Sequence, residues 1–432
     1  MKRSLIVLLI LLVNLATVCA QATNATRSFT VSGIKVIFKP SAKNVINVRV
    51  YYRGGVANYD PDKAGVENFA LQAAALCGTP KYPGNALRDT SDKYDIFLSG
   101  ISSLDCGYIQ LNCISKYFNQ GWDMFADAIM NPAFDAKEVQ LLKNKLVAAG
   151  KVEQSNSHNH LAQLMLQNTF KGTPYAVNPS GTEETLNAIT IDDLKKHYSS
   201  ILNKNRIFIV VAGNTTTAEL SEKILATLSN MPSKEYSKPD YEPPVLNDSK
   251  LLIDKQATSI SFIQAMANAP AVSSPDYVPF RLGLSALSNN LYYNLDTQGK
   301  LALYPFANCV PRLMSVTQIL FTTNQPQEAI PAVMKNIRQL QKTGVNDDWL
   351  MRIKNSFVLS NFIGEQSVAG VTDMLGMAEI TSGWQYADDL PQLVYMATPE
   401  QVNKALNTYI NGFKWGYLGN SNAMENFTLP QF

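Results

Sequence analysis

Residues suited to metal or acid–base chemistry are scarce in this sequence of 432 residues, which has three histidines. His158 and His160 are separated by one residue and lie in a polar stretch that we interpret as a loop. Two imidazoles at this spacing could bind a metal ion, but the polar stretch is more typical of a loop than of a metal site. His197 is expected in the middle of a helix beside Tyr198, as a surface or packing residue.

The first 20 residues have the pattern of a secretory leader. Lys2 and Arg3 precede an apolar run, and a small-residue cleavage site ends at Ala20. The run is too short to span a bilayer comfortably. Cys19 raises the alternative of a lipid-anchored protein, but Val18 before it does not fit that signal. We therefore predict an exported protein, most simply in a bacterial periplasm, with no transmembrane segment after the leader is removed.

Four cysteines remain after the leader: Cys77, Cys106, Cys113 and Cys309. An even number in an oxidising compartment permits disulfides. Each lies in an apolar or strand-like stretch, and no CxxC pair is present. Buried, unpaired thiols are the preferred interpretation. The net charge of +2, without any basic run, gives no reason to expect a nucleic-acid partner.

The chain contains an internal repeat. Thr190 precedes a predicted helix and the apolar strand 207–211, and Thr398 precedes a second helix and the strand 414–418. Both threonines are predicted N-caps, because acidic residues follow them in the first helical turn. The offset between the two threonines is 208 residues.

A second pair of segments supports the repeat. Asp135 leads into a predicted helix that carries Lys143, and Asp347 leads into one that carries Lys354. The two lysines are 211 residues apart. A Pro-rich stretch at 232–248 separates the two copies and reads as an extended linker. We therefore predict a leader at 1–20, a domain at 21–231, the linker, and a homologous domain at 249–432.

The pattern within the first domain predicts an α+β fold. Residues 46–53 alternate as a half-buried strand does, and residues 65–76 are apolar enough for a buried helix that ends at Gly78. Residues 96–101 and 107–114 are predicted to form a hairpin. Helical spacing recurs at 122–130 and 139–149, so helices are expected to pack on an antiparallel sheet.

The sequence resembles the pitrilysin/insulinase peptidases, especially their short bacterial and processing-peptidase-like members. The resemblance covers nearly all of the mature chain and is carried by the following residues: Arg53-Gly54-Gly55, Gly65, Gly78-Thr79, Asn131-Pro132-Ala133-Phe134, Pro174-Tyr175, Gly181, Leu186, the unit 190–213, and 291–305 in the second half. It implies two homologous insulinase-type domains in tandem, forming a clamshell.

The catalytic zinc of this family is held by an HxxEH motif on the first helix, in which the Glu activates water. Aligned on Gly78-Thr79, the motif positions here are Phe69, Gln72 and Ala73; aligned on Gly65, they are Asn68, Leu71 and Gln72. Neither register contains His or Glu. The position of the third ligand falls near Gly150, and Glu153 is the nearest carboxylate. No metal, cofactor or catalytic residue is therefore expected in this chain, although catalytic relatives hold zinc.

A second signature of the family, an Arg followed by a Tyr that bind the substrate, falls in the second half. Here the Arg position is Asp296 and the Tyr position is Leu303, with Tyr304 one residue away. Asp in place of Arg reverses the charge, so a strong donor to substrate carbonyls is lost. Whether Tyr304 replaces the family Tyr stays open.

The resemblance implies a non-catalytic protein that is not a peptidase by itself. The leading hypothesis is a structural or substrate-binding subunit that partners an active zinc-bearing paralogue. The inner faces of the two-half fold would line a chamber, which could hold an extended peptide by strand addition. One alternative is a zinc metalloendopeptidase, either as part of a complex or through an unrecognised site. The other is an independent periplasmic peptide-binding protein.

Overall fold

The computed structural model describes residues 25–247 and 250–432. The predicted leader therefore lies outside the described residues. Among the helices that are described, none combines the length and the apolar character needed to cross a membrane.

The N-terminal half is built on a six-stranded sheet in the order β1-β2-β6-β3-β5-β4. Its neighbours pair antiparallel, except for the parallel pair β2 and β6. The strands are β1 (Arg27–Val31), β2 (Ile34–Pro40), β3 (Val45–Arg53), β4 (Phe97–Ser102), β5 (Cys106–Ile114) and β6 (Ile207–Gly213). The helices are α1 (Val66–Leu76), α2 (Gly84–Tyr94), α3 (Phe118–Met130), α4 (Ala136–Ser155), α5 (Ser157–Thr169), α6 (Glu183–Ala188), α7 (Ile191–Ile201) and α8 (Thr217–Thr227).

The C-terminal half repeats this plan on a five-stranded sheet in the order β7-β11-β8-β10-β9, with one parallel pair, β7 and β11. The strands are β7 (Lys250–Lys255), β8 (Ser261–Asn268), β9 (Leu303–Cys309), β10 (Val316–Thr323) and β11 (Lys414–Gly419). The helices are α9 (Tyr277–Leu291), α10 (Pro326–Thr343), α11 (Asp347–Gly364), α12 (Val368–Thr381), α13 (Gln385–Met396) and α14 (Pro399–Tyr409). The predicted tandem of two α+β domains is confirmed.

The helix caps confirm the repeat at the level of single side chains. Thr190 and Thr398 each accept a hydrogen bond from the third residue of their helices, whose side chains bond back to the cap backbone. Asp135 caps α4, and Asn346, 211 residues later, caps α11. These caps are local features, so the sequence alone is enough to predict the two threonine caps.

The two halves are interlocked by an exchange of helices. Helix α12 of the C-terminal half packs on the face of the first sheet that α1 does not cover, and α5 of the N-terminal half packs on the second sheet. A glycine permits close approach at each contact. A Cβ atom at Gly376 would lie 2.2 Å from the Tyr51 ring, and one at Gly416 would lie 2.3 Å from the Met165 sulfur.

Strand β3 differs from its prediction because of this exchange. It was expected to be half-buried, but residues 46–52 are all buried. Own-half helices such as α1 cover one face of the sheet, and α12 covers the other at β3 and β6. A strand covered on both faces has no solvent-facing side, so Arg49 pairs with Asp373 and the Asn47 side-chain oxygen accepts from the Thr372 hydroxyl inside the interface.

Ion pairs cross the joint between the halves. The Arg53 guanidinium lies 2.7 Å from the Glu379 carboxylate, and the Lys35 ammonium lies 2.8 Å from it. Burial acts to raise the pKa of Glu379, but the two cations hold that pKa below its ordinary value. Arg49 and Asp373 form a further pair at 2.5 Å. Because the carboxylate of Glu379 is buried, loss of both cations would leave an uncompensated charge.

The segment 232–247 has neither helix nor strand, in keeping with an extended linker. It is nevertheless anchored to the protein. The backbone N–H of Lys234 donates to Asn203 at 2.9 Å, the ring of Tyr241 meets that of Tyr175 edge-on at 5.6 Å, and Leu246 is buried.

All four cysteines that the sequence analysis considered are free and buried. Burial raises the pKa of the Cys77 and Cys113 thiols to about 12 and that of Cys309 to about 11. Thiols in this range carry almost no reactive thiolate at neutral pH, so these side chains act as small core residues.

Candidate functional site

The predicted motif helix, α1, is held close to the edge strand β4. It begins after Gly65, whose φ of +88° favours glycine, and a Cβ there would lie 2.8 Å from Gly181. A Cβ at Gly100 of β4 would lie 2.3 Å from the carbonyl oxygen of Leu71. The helix backbone and the sheet edge are therefore in close contact because both sides of the contact lack bulk.

One side of α1 carries a pair of amides. Gln72 Nε2 donates to Asn68 Oδ1 at 3.2 Å, one helical turn away. The backbone N–H of Ser102 at the end of β4 donates to the same Asn68 oxygen at 3.1 Å. Asn68 is buried and Gln72 is partly exposed, so this face of the helix is accessible to solvent at Gln72.

The other candidate positions lie in the core. Phe69 and Ala73, which share a face one turn apart, are fully buried among the hydrophobic side chains of the first half. Leu71 is also fully buried, and its Cδ1 atom would lie 2.3 Å from a Cβ atom at Gly107. A metal bound between positions 69 and 73 would have no access to water or substrate.

Glu67 is the one carboxylate on α1, and it is fully buried on a different side of the helix. It accepts hydrogen bonds from Asn58 Nδ2 at 2.6 Å and from the Ser102 hydroxyl at 2.9 Å, and lies 3.2 Å from His197 Nε2. Tyr59 packs edge-on against His197 at 5.7 Å. Burial, helped by the nearby Glu67 charge, raises the pKa of the Tyr59 hydroxyl well above its ordinary value.

His197 is therefore a buried hydrogen-bonding residue rather than a surface one. No local sequence pattern indicates this pair, because Glu67 and His197 are 130 residues apart and lie on different helices. Their contact depends on how α1 and α7 pack, which no local pattern specifies. The network ties the helix to the sheet and to α7, and it supplies no group to the accessible face.

The His158–His160 segment was predicted as a loop, and that prediction is wrong. It forms the first turn of α5, which Asn156 caps with its side chain. The two imidazoles contact the other half separately: His160 Nε2 lies 2.8 Å from Asp254, and His158 meets Phe262 edge-on at 4.7 Å. The missed signal was the Asn156 cap, which makes a polar stretch a good helix start.

The position expected for a third zinc ligand lies near the end of α4. Glu153 is exposed there and lines a polar cavity of about 220 Å³ together with His160, Gln163 and Glu183. Across residues 25–247 and 250–432, no group of three His, Cys, Asp or Glu side chains is arranged to hold a metal ion.

In the second half, Asp296 has a local structural role. It lies in the helical turn Tyr292–Gln298, and its Oδ2 accepts from the backbone N–H of Tyr304 at 2.8 Å. Tyr304 is 81% exposed and has a φ of +50°, and Leu303 is also exposed. The carboxylate thus stabilises the start of β9.

Two family models match consecutive parts of the chain. Residues 35–183 match "Insulinase (Peptidase family M16)", and residues 188–357 match "Peptidase M16 inactive domain". The chain therefore belongs to the M16 peptidase family, which confirms the resemblance and the tandem-domain fold.

The relatives include proteins with non-peptidase and subunit names. The chain is 23% identical to the non-peptidase homologue YmxG of Helicobacter pylori over 48% of each chain. It is 20% identical to cytochrome b-c1 complex subunit 1 of Mus musculus over 58% of this chain and 52% of that one. The chain thus spans about half the length of these curated relatives. A solved M16 inactive domain from Pseudomonas fluorescens shares the fold, with a TM-score of 0.81, 17% identity, and 94% and 99% coverage.

Proposed function

We propose that this chain is an exported, non-catalytic M16 protein that serves as a structural or substrate-binding subunit of an active zinc peptidase. The observation that carries the proposal is the chemistry of α1 at the motif positions, where the partly exposed Gln72 donates to the buried Asn68 and neither side chain is a histidine or a carboxylate. The motif positions are Phe69, Gln72 and Ala73 in the register aligned on Gly78-Thr79, and Asn68, Leu71 and Gln72 in the alternative aligned on Gly65, so Gln72 is common to both.

The chemistry of these side chains supports a non-catalytic role. Zinc in proteins is held by Cys, His and carboxylates, and an amide is a much poorer ligand. The Asn68 oxygen already accepts two hydrogen bonds. Leu71 cannot take a proton from water, and Glu67 points away from the accessible face into its own buried network.

The edge of the first sheet offers a place for a peptide. In the described part of the chain, β4 pairs only with β5, so its other edge is open to an added strand. Phe97 and Ile101 of this strand are both exposed. Since exchanged helices interlock the two halves, we propose that a peptide chamber is formed between this chain and a partner chain. The same open edge also supports the second candidate, an independent peptide-binding protein.

The leader pattern supports export, most simply to a bacterial periplasm. A subunit role is supported by the relatives, one named as a non-peptidase homologue and another as a subunit of a complex. Two folded domains without catalytic ligands can still contribute to a zinc-bearing partner chain by forming part of the chamber wall and of the peptide-binding surface.

Co-expression with an HxxEH-bearing M16 paralogue from the same organism tests the subunit role. We expect the two chains to co-purify in equal amounts, and the paralogue to cleave an unstructured peptide several-fold faster than it does alone. As a control, the same paralogue is mixed with an unrelated exported protein of similar size. If the chains separate and the cleavage rate does not change, the subunit role is wrong and the independent peptide-binding protein takes its place.

A further inference from the structure

Two neighbouring outer helices of the C-terminal half expose an apolar surface. Met351, Leu359, Phe362 and Ile363 lie on α11, and Tyr395 and Met396 lie at the end of α13; each is 49% to 66% exposed. The Tyr395 hydroxyl donates to Asn355 Oδ1 at 3.4 Å, which joins the two helices on this side. These six residues and Asn355 form what we call the C-half face.

The internal repeat supplies a control for this surface. Lys143 of α4 donates to the carbonyl oxygen of Ile189 at 2.7 Å, just beyond α6, and Lys354 of α11 donates to that of Tyr395 at 2.9 Å. Helices α4 and α6 therefore correspond to α11 and α13.

At five of the six corresponding exposed positions the N-terminal half is polar or small; at the sixth, Val152 corresponds to Ile363 and is 72% exposed. Five of the six apolar residues have such counterparts, at the offsets of 211 and 208 residues: Gln140 for Met351, Ala148 for Leu359, Lys151 for Phe362, Asn187 for Tyr395, and Ala188 for Met396. Because the same elements build both surfaces, the fold does not require apolar residues there. The excess of exposed apolar residues in the C-terminal half indicates that something covers this face.

We propose that the C-half face is covered by the same face of a second copy of this chain, related by a two-fold axis. The six side chains expose on the order of 600 Å² of apolar surface. With its rim, such a face approaches the roughly 800 Å² per partner of a stable protein interface. A two-helix surface is convex, so it fits another folded surface rather than a small ligand.

The centre of the C-half face can form hydrogen bonds with the same centre on a second copy. Asn355 lies there, and an amide can both donate to and accept from an identical amide across a two-fold axis. Antiparallel packing of α11 on its copy about Asn355 places Met351 opposite Leu359 of the second copy. This arrangement also sets the helix dipoles antiparallel.

The charges around the face do not favour a membrane surface as the occupant. Helices that lie on membranes carry Lys and Arg along the border of their apolar face. At the border of the C-half face, Asp348 and Glu365 are acidic, Lys39 pairs with Glu365 at 3.2 Å, and Arg352 is the exposed base on α11 among the described residues. Mixed charges at the rim and a neutral, Met- and Tyr-containing centre match the composition of protein interfaces.

Sedimentation of the purified mature chain tests the proposal. We expect a dimer, and we expect the variant M351Q/L359A/F362K to associate at least about 100-fold more weakly. This variant carries the residues of the N-terminal half at the same helical positions, all of which are good helix formers. The matched control is V152K, which removes an exposed apolar residue from α4 and is expected to leave the dimer intact.

The single variant F362K provides a second measurement if the triple variant does not fold. A wild-type chain that sediments as a monomer overturns the proposal, as does a dimer that both face variants leave unchanged. A monomer that binds a different M16 chain through this face also overturns it, because the occupant is then not a second copy. The sedimentation results are obtained with this chain alone, so they do not depend on whether it cooperates with a zinc peptidase.

Discussion

Replacing Gly376 with leucine is expected to lower the free energy of unfolding by about 3 kcal/mol. The reason is the rigid surface against which α12 packs. A Cβ at this position would lie 2.2 Å from the Tyr51 ring. That ring stacks on Phe208 at 5.0 Å, and its hydroxyl donates to the carbonyl oxygen of Thr372 at 3.0 Å. Neither neighbour leaves the tyrosine room to move, so the exchanged helix must shift. Urea denaturation with a fluorescence readout measures the change.

The matched control is Gly150→Ala. Gly150 also lies inside a helix, α4, but a Cβ there would have no atom within 4 Å. This substitution is expected to leave stability unchanged or raise it by up to about 1 kcal/mol, because alanine favours the helix. Equal stabilities of the Gly376→Leu variant and the wild type would show that α12 does not pack on Tyr51 in solution.

Replacing Glu67 with alanine is expected to cost about 3 to 5 kcal/mol of stability. The substitution removes the acceptor of Asn58 and Ser102 and leaves the His197 ring buried without its carboxylate. Each unpaired buried donor carries a desolvation penalty that solvent cannot relieve. Equilibrium unfolding in urea gives the loss directly.

Two further variants show whether the loss comes from the network. Glu153→Ala removes an exposed carboxylate and is expected to change stability by no more than about 0.5 kcal/mol. Combining Glu67→Ala with His197→Ala is expected to cost less than the two changes separately, with a coupling above about 1 kcal/mol. Additive effects, or a Glu67→Ala loss as small as that of Glu153→Ala, would exclude a stabilising role for the pair.

The features that sequence analysis predicted correctly are local or repeated. The capping threonines Thr190 and Thr398 follow from residues within one helical turn, and the hairpin of β4 and β5 follows from strand-forming residues on either side of a short polar turn. The tandem fold follows from offsets that are visible in the sequence itself. Such signals do not depend on what packs against the segment.

The features that could not be predicted are long-range. Arg49 pairs with Asp373, and Tyr51 bonds to Thr372, each across more than 300 residues. The alternating pattern of β3 indicates one covered face, and nothing local indicates that a helix of the other half covers the second. For the motif helix, spacing left two registers open. Gln72 belongs to both registers, and the other positions of each register are buried.

The most direct test of the non-catalytic assignment is the zinc content of the purified mature chain, measured together with peptide cleavage in the presence and absence of a chelator. We expect far less than one zinc per chain and no chelator-sensitive cleavage. The single variants Asn68→His and Gln72→His are expected to behave in the same way, because a catalytic site needs about three protein ligands and an activated water. About one zinc per wild-type chain, with cleavage that a chelator abolishes, would contradict the account.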